Sequence, residues 1–249
     1  MIDAWLVIPC FNEERRLDTS AISELLEETA LGIIFVNDGS TDQTHEVLDE
    51  QSRRYPERIE VLDLSHNMGK AEAVRLGLRE ACAKDARITG YLDADFATPP
   101  AEIIRLLSLM RSNETIKALL GSRWRHLGSR VERSNLRHYG GRIFATLASA
   151  ILKMPVYDTQ CGAKLFRVTG NLRAAIGEPF LSRWSFDVEL IGRLREGMGQ
   201  VPGYELTDFL EVPLDRWMNI DGSKIGALDM IRATLELIPI TNALKRLRR

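Results

Sequence analysis

Cysteine is scarce in this chain: three occur among 249 residues, at positions 10, 82 and 161. An odd number of widely separated cysteines does not provide a disulfide framework, which excludes the class of small secreted domains that depend on one. We therefore expect a protein of the reduced cytosolic compartment.

Long apolar runs are absent as well. No uninterrupted apolar stretch reaches the roughly 20 residues that a membrane-spanning helix needs. The first predicted strand begins within a few residues of the N-terminus, so we expect no signal peptide before it. If the protein meets a membrane, we expect contact at the surface, from the cytosolic side.

Neither sign of charge is in excess. The 33 lysines and arginines face 35 aspartates and glutamates, which gives a formal net charge of −2. This balance provides no overall attraction for nucleic acid, so any basic site has to be local. Internal repeats, low-complexity tracts and linkers are also missing, and 249 residues suit one large domain.

Predicted strands and helices alternate through most of the chain. Apolar runs predict strands near residues 4–9, 32–37, 58–63, 88–93, 117–120 and 210–212, and a turn leading into a strand over 157–167. Apolar periodicity predicts helices over residues 20–29, 41–55, 69–83, 101–111 and 186–195. This alternation predicts an α/β fold, a Rossmann-like single domain whose mostly parallel central sheet has helices on both faces.

Two carboxylates one residue apart are the most informative feature. Asp93 and Asp95 follow an apolar run and precede residues 96–100 (FATPP). In an extended segment they would point to one side while Ala94 points to the other. Hard oxygen ligands so placed suit Mg²⁺ or Mn²⁺ carrying a diphosphate. Aspartate is common in turns for other reasons, so the pair gains its weight from context.

Two other apolar runs also open into acidic turns. One leads into Asn12 and Glu13, and the other leads into Asp38 with Gly39 behind it. The carboxyl ends of the strands are where open α/β sheets bind their ligands. We therefore expect these turns and residues 93–95 to form one site.

Four motifs together resemble the family 2 inverting glycosyltransferases, which have the GT-A fold. They are residues 7–14 (VIPCFNEE), 36–42 (VNDGSTD), 67–70 (NMGK) and 92–95 (LDAD), and their order and spacing are more specific than any one of them. Further segments are similar to the polyprenyl-phosphate sugar transferases, above all the dolichyl-phosphate β-glucosyltransferases: residues 121–123 (GSR), 158–164 (DTQCGAK), 183–190 (RWSFDVEL) and 220–224 (IDGSK). Eukaryotic members of that group carry an N-terminal membrane anchor, which we do not expect here.

The resemblance implies a metal-dependent, inverting transfer of a hexose, with UDP-glucose as the expected donor and a polyprenyl phosphate as the expected acceptor. It implies donor-binding roles for Pro9, Asn12, Glu13, Asp38, Lys70, Asp93, Ala94 and Asp95, and it makes Asp93 and Asp95 the ligands of Mg²⁺ or Mn²⁺. Read without the resemblance, Asp38 also fits a helix N-cap. Lys70 also fits a solvated lysine at a helix start.

An arginine-rich segment is the second strong signal. Six arginines and one acid lie in residues 123–142. Glycines at 128, 140 and 141, and the lack of a helical apolar stripe, favour a mobile phosphate-binding loop over a solvated face. The planar guanidinium group binds phosphate oxygens in pairs. By the resemblance, Arg123 and Arg137 are the best candidates for the acceptor phosphate, and Arg142 is a weaker one.

Asp187 begins a predicted helix, two residues before Glu189. In hydroxyl-accepting relatives an acid at this place is the general base. An acceptor phosphate is already ionised at neutral pH and needs little help from a base. Asp187 is therefore expected in the catalytic site either as that base or as a group that orients the sugar or acceptor. The helix dipole also favours a carboxylate here without any function.

The C-terminal segment combines an apolar stripe with basic residues. Residues 225, 228, 231, 235 and 238 form the stripe, and Pro239 separates it from a basic amphipathic end. Such a stripe is more often a core face, but a basic amphipathic end is typical of a membrane-surface anchor. We expect a GT-A domain over residues 1–238 and a tail over 239–249 that holds the protein at the cytosolic face of a membrane.

Three alternatives remain open at the level of the sequence. The donor could be GDP-mannose, or the acceptor could be a soluble hydroxyl compound. The third alternative is a catalytically silent nucleotide-sugar-binding protein, but such a binder need not keep both the Asp93/Asp95 pair and Asp187. Pocket residues for uracil and guanine differ only subtly, and the oligomeric state has no signature here.

Overall fold

The computed structural model describes residues 2–131, 135–218, 220 and 227–248, and for residues 131, 135–140 and 227–231 it describes the secondary structure only. The strands are β1 (Ala4–Cys10), β2 (Leu31–Asn37), β3 (Ile59–Asp63), β4 (Ile88–Tyr91), β5 (Ala118–Ser122), β6 (Arg130–Val131), β7 (Lys164–Arg167), β8 (Gly197–Met198), β9 (Val201–Pro202), β10 (Phe209–Pro213) and β11 (Arg216–Trp217). The helices are α1 (Thr19–Glu28), α2 (Thr44–Arg54), α3 (Lys70–Ala83), α4 (Pro100–Ser112), α5 (Asn135–Leu152), α6 (Gly170–Ala175), α7 (Phe186–Glu196) and α8 (Ala227–Leu247).

A seven-stranded sheet forms the centre of the fold, in the order β10-β5-β7-β4-β1-β2-β3. Its neighbouring strands are parallel, except that β7 runs antiparallel to both β4 and β5. Every residue of β2 is buried. The strand is covered by helices on both faces, which explains why its sequence is a nearly continuous apolar run. The predicted α/β fold with a mostly parallel sheet is confirmed.

Helices cover both faces of this sheet. Helices α1 and α4 pack together on one face, around the buried side chains of Ile22, Leu25 and Leu107. Helix α3 covers the other face, where α6 and α7 add to a second cluster. Asp18 fixes the start of α1, because its Oδ1 accepts the backbone N–H groups of Ser20 and Ala21 at 2.9 and 3.1 Å.

Helices α5 and α8 pack outside α7 and form a third layer. The expectation of a loop throughout residues 123–142 is therefore wrong for its last part, which belongs to the first half of α5. Two glycines interrupt the polar half of this helix, which makes it resemble a loop in the sequence. Among the side chains that the structure describes, those of α5 that pack inward, such as Ala148 and Leu152, lie in its second half.

Helix α8 continues through Pro239 to Leu247 rather than ending at residue 238. Ile240 and Leu244 are apolar residues of the predicted amphipathic tail, and an anchor of that kind would place them against a membrane. They are instead buried against α5 and α7, so this part of the expectation is wrong. Leu244 fills the space where a side chain at Gly192 of α7 would lie. Burying each such side chain contributes about 1.5–3 kcal/mol, which together offsets the roughly 3 kcal/mol cost of a proline within a helix.

Residues 221–226, which include the last four residues of the IDGSK motif and Ile225, lie outside the described part of the chain. Within the described part, no helix combines the length and the apolar character needed to cross a membrane. Cys10, Cys82 and Cys161 are buried and form no disulfide. Burial raises the pKa of all three thiols, which therefore stay protonated near neutral pH.

Candidate active site

The turns after β1 and β2 are held together by side chains of the first two motifs. Asn12 donates its backbone N–H to Ser40 Oγ at 3.1 Å, and its Oδ1 accepts from the Thr41 backbone at 2.8 Å. The φ angle of Asn12 is 53°, in the left-handed region that asparagine tolerates better than most residues. Both bonds join the two turns directly, as the sequence predicted for one shared site.

Asp38 is almost completely buried behind these turns. Its Oδ1 accepts from the backbone N–H of Met68 at 2.7 Å and its Oδ2 from that of Gly69 at 2.8 Å. Burial raises the pKa of the carboxyl group, and the two N–H donors oppose that rise. Asp38 therefore fixes the loop that begins α3, and through it the position of Lys70.

Asp93 lies at the centre of a group of cations. Lys70 Nζ is 2.5 Å from Asp93 Oδ1. Removal from water would raise the pKa of Asp93, but the charges of Lys70, Arg123 and Lys164 outweigh that effect and hold it below the usual range. Asp93 is thus ionised well below neutral pH.

Asp95 has a different cationic partner. Arg16 Nη2 donates to Asp95 Oδ2 at 2.8 Å, and Nη1 of the same arginine lies 3.4 Å from Glu13 Oε1. Burial and the neighbouring charge of Asp93 raise the pKa of Asp95, while Arg16 opposes the rise. Arg16 therefore links the acid predicted for the nucleotide pocket to the acid predicted for the metal.

The two acids lie in a turn rather than in a strand, because β4 ends at Tyr91, earlier than predicted. The turn closes by a bond from the Phe96 backbone N–H to the carbonyl of Asp93 at 3.2 Å, with Phe96 at a φ of 48°. Ala94 is buried in the core, while both carboxylates remain partly exposed. The expectation of an extended segment at residues 93–95 is therefore wrong, although Ala94 is buried and the two carboxylates are partly exposed.

The donor set of this turn fits a hard divalent cation. Two carboxylate groups supply oxygen ligands, which Mg²⁺ and Mn²⁺ prefer. In the ranges that the structure describes, no third His, Cys, Asp or Glu joins them in a metal-binding group. The remaining ligands would have to come from a bound diphosphate and from water, as is usual for Mg²⁺ sites that handle phosphates.

Asp187 is buried and already has two donors. The Tyr91 hydroxyl and Lys164 Nζ, the latter at 2.6 Å, both donate to its Oδ1. Lys164 is completely buried. Burial, followed by the charge of Asp187, raises the pKa of Tyr91 well above its usual range, so the phenol stays protonated. Asp187 therefore acts first as the counter-ion of Lys164.

The predicted acceptor arginines differ in their surroundings. Arg123 forms a two-point pair with Asp158, from Nε to Oδ2 at 2.7 Å and from Nη2 to Oδ1 at 2.9 Å. Arg142 is exposed on α5. The side chain of Arg137 lies outside the described residues, although its backbone belongs to α5.

Sequence reasoning gave no role to three residues of this cluster: Arg16, Lys164 and Gly162. Lys164 and Gly162 belong to the DTQCGAK motif, and this motif was the only feature of the sequence that pointed to a role for them. A side chain at Gly162 has no space, because even its first carbon would lie 1.9 Å from Asp93 Oδ2. The backbone of Gly162 therefore forms a wall against which the Asp93 carboxylate is placed.

Comparisons with known proteins show what this chain is similar to. The model of glycosyl transferase family 2 matches residues 5–171. A dolichyl-phosphate beta-glucosyltransferase of Trichomonas vaginalis is 30% identical, over 94% of this chain and 69% of the relative. One of Saccharomyces cerevisiae is 31% identical, over 96% of this chain and 74% of the relative.

Among solved structures, glucosyl-3-phosphoglycerate synthase of Mycobacterium tuberculosis, in complex with Mn²⁺, UDP and glucosyl-3-phosphoglycerate, superimposes with a TM-score of 0.65. The alignment covers 98% of this chain and 80% of that one at 16% identity. At this identity the likeness concerns the fold alone.

Proposed function

The chain belongs to glycosyl transferase family 2 and is a glycosyltransferase, and from this premise we propose that it transfers glucose from UDP-glucose to a polyprenyl phosphate with inversion. The observation that carries the proposal is the similarity, over nearly the whole chain, to proteins named dolichyl-phosphate beta-glucosyltransferases. The cluster of acids and cations at the carboxyl edge of the sheet supports it, because such a site can hold a sugar diphosphate.

The donor would lie over the turns after β1, β2 and β4. Pro9, Asn12, Glu13 and Asp38 would shape the nucleotide pocket, while Lys70 would turn from Asp93 to a diphosphate oxygen. Asp93 and Asp95 would hold Mg²⁺ or Mn²⁺, which when bound supplies positive charge to neutralise the departing diphosphate. Gly162, which leaves space for the Asp93 carboxylate, would keep it in place for that task.

The acceptor reacts through its own phosphate. A phosphate oxygen forms the new bond to the anomeric carbon while the bond from that carbon to the UDP oxygen breaks, and its electron pair leaves with UDP. Arg137, Arg142 and Nη1 of Arg123 would hold the acceptor phosphate in line with the anomeric carbon. Among the described residues, the Arg123 side chain hydrogen-bonds only through Nε and Nη2. Positioning and electrostatics would then supply most of the rate.

Asp187 would position rather than abstract a proton. The attacking oxygen of an ionised phosphate carries no proton, so the reaction needs little help from a general base. The bonds from Tyr91 and Lys164 fix the carboxylate at the start of α7. From there it places a second negative charge near Lys70. Burial alone would lower the pKa of Lys70, but the charges of Asp93 and Asp187 together raise it.

A lipid acceptor requires contact with a membrane, and we propose that the protein works at the cytosolic face of one. Ile143 of α5 and Leu235 and Ile238 of α8 are each more than half exposed, on two helices that contact each other. Lys245 and Arg246 at the end of α8 are exposed as well. Apolar area combined with basic charge, worth roughly 1 kcal/mol per residue near an anionic surface, suits peripheral attachment.

A donor screen tests the proposal. UDP-glucose and GDP-mannose are each incubated with Mg²⁺ or Mn²⁺, with and without a short polyprenyl phosphate, and nucleotide release is measured. We expect fast release of UDP that depends on the lipid phosphate. Fast release of GDP instead would establish the mannose donor, and release that ignores the lipid would indicate a soluble acceptor. Binding without release under all conditions would overturn the enzyme assignment of this site.

A further inference from the structure

Arg16 has contacts that its place in the sequence did not reveal. It lies in the turn after β1, where the backbone N–H groups of Arg16 and Leu17 both donate to the carbonyl of Glu13 at 2.9 Å. Leu17 is buried in the core, so the backbone of this turn is anchored. The Arg16 guanidinium therefore reaches Asp95 and Glu13 from a fixed base.

Each acid of the Asp93/Asp95 pair thus forms an ion pair with a basic side chain of the protein. Lys70 lies on one oxygen of Asp93, and Arg16 on one oxygen of Asp95. A divalent cation needs oxygens of the same two carboxylates. Metal binding and these ion pairs therefore compete, and a protein cation that leaves must find another anion, because an unpaired and partly buried charge is costly.

We propose that Arg16 is an exchangeable cation of the donor site, which holds Asp95 before the donor binds and passes to a phosphate oxygen of the nucleotide sugar when a divalent cation takes its place. This inference rests on the proposed function, since it requires a diphosphate donor. It adds to the site a residue, two positions after the first motif, to which the sequence gave no role.

The remaining polar atoms of Arg16 favour such a move. Its Nε is buried and has no hydrogen-bond partner among the described residues. A phosphate group could accept from Nε and an Nη atom together, which is the two-point geometry that guanidinium groups form with phosphates. The contact with Glu13 is long, at 3.3 Å, and does not bind the side chain tightly in its present position.

Direct binding measurements test the exchange without relying on turnover. Free Mn²⁺ is followed by electron paramagnetic resonance in the absence of nucleotide, and UDP binding is measured by calorimetry in saturating Mn²⁺. We expect Arg16→Met to bind Mn²⁺ alone at least about fivefold more tightly, because a competitor is gone. The same variant should bind UDP on the order of tenfold more weakly, because a charge-assisted contact is lost.

Two further variants control for charge and folding. Arg15→Met removes the same charge from the exposed neighbouring position and should change neither affinity. Arg16→Lys keeps the positive charge but loses the planar guanidinium group that can bind a phosphate at two points. It should leave the affinity for Mn²⁺ near that of the wild type while weakening UDP binding. Unchanged or weaker binding of Mn²⁺ alone by Arg16→Met would overturn the competition, and unchanged UDP binding would overturn the transfer to phosphate.

Failure of the proposed function gives a different result. If the wild-type protein binds neither Mn²⁺ nor UDP, the donor site itself is wrong and the exchange falls with it. If wild type binds both and releases UDP from UDP-glucose, but Arg16→Met matches Arg15→Met in both affinities, only the role of Arg16 is refuted.

Discussion

Gly162→Ala is the sharpest single test of how the acidic site is built. A methyl group at this position would lie 1.9 Å from Asp93 Oδ2 and 2.5 Å from Oδ1, whereas real methyl carbons do not come within 3.0 Å of another heavy atom. Gly162 does not have a positive φ angle, so alanine fits its backbone conformation. The substitution therefore acts by pushing the Asp93 carboxylate away.

The size of the effect follows from these distances. Relieving the contact at Oδ2 requires a shift of about 1.1 Å, the difference between 3.0 and 1.9 Å. Misplacing a reacting or positioning group by about 1 Å costs on the order of 100-fold in rate, or roughly 2.7 kcal/mol of transition-state stabilisation. The same shift should also weaken Mn²⁺ binding in the presence of UDP, because one of two carboxylate ligands is displaced.

The assay is release of UDP from UDP-glucose in the presence of a short polyprenyl phosphate and Mn²⁺, together with thermal unfolding to confirm that the variant is folded. Gly170→Ala is the matched control, since a methyl group there meets nothing within 4 Å, and its activity should equal that of the wild type. If folded Gly162→Ala keeps kcat/KM within about threefold of that control, the placement of Asp93 by Gly162 is refuted.

Four further predictions follow from the same structure. Asp95→Ala should abolish turnover that depends on Mg²⁺ or Mn²⁺ without unfolding the protein, and full activity in this variant or in excess chelator would contradict the metal assignment. Arg137→Ala should weaken use of the polyprenyl phosphate by about 1.5–3 kcal/mol and leave UDP affinity unchanged; equal losses for both ligands would move this arginine to the donor site. Asp18→Ala should lower the free energy of unfolding by about 1 kcal/mol at neutral pH, because α1 loses its N-cap. Since the Ser20 hydroxyl holds the pKa of Asp18 below its usual value, this difference should be present above pH 3.8 and disappear as the pH falls through the lowered pKa; an undiminished difference in acid would show that the charge is not involved. Finally, the protein should sediment with anionic liposomes at low salt and be released at high salt, and replacing Leu235 and Ile238 by serine should weaken the binding; wild-type protein that ignores the liposomes would refute peripheral attachment.

The sequence predicted the sheet and its acidic turns well, because both depend on local patterns. The apolar runs of β1 and β2 each end in a polar turn, and parallel strands bring such ends to one edge. Which side chains pair with each other within the site could not be predicted from the sequence. Arg16 and Asp95 are 79 positions apart, and Lys164 and Asp187 belong to different elements, so no spacing rule connects them.

The outer helices were predicted less well, since packing decides their form. The polar first half of α5 and the proline within α8 both argue against a helix when they are considered locally. Their inner residues, among them Leu152 and Ile240, complete a cluster that includes Val188 of α7, and this burial overrides the local preferences. The place of Asp187 in the site, in contrast, could be predicted from its sequence motif. Its hydrogen bonds with Tyr91 and Lys164 could not, and they determine how its carboxylate is held.

The direction of β7 has a consequence for how such a site can diversify. Within the seven-stranded sheet β7 runs antiparallel to both of its neighbours, so its first residue, Lys164, lies beside Tyr91, the last residue of β4. The chain segment before β7 therefore reaches the same edge of the sheet as the turns after β1, β2 and β4. It does not belong to the strand–helix units that contain those turns. Residues 153–160 include Asp158, the partner of Arg123, so exchanges there can change the surroundings of Arg123 without altering the register of β1, β2 or β4. Under the proposed function Arg123 serves the acceptor, so the acceptor side would be able to vary while the donor turns stay constant.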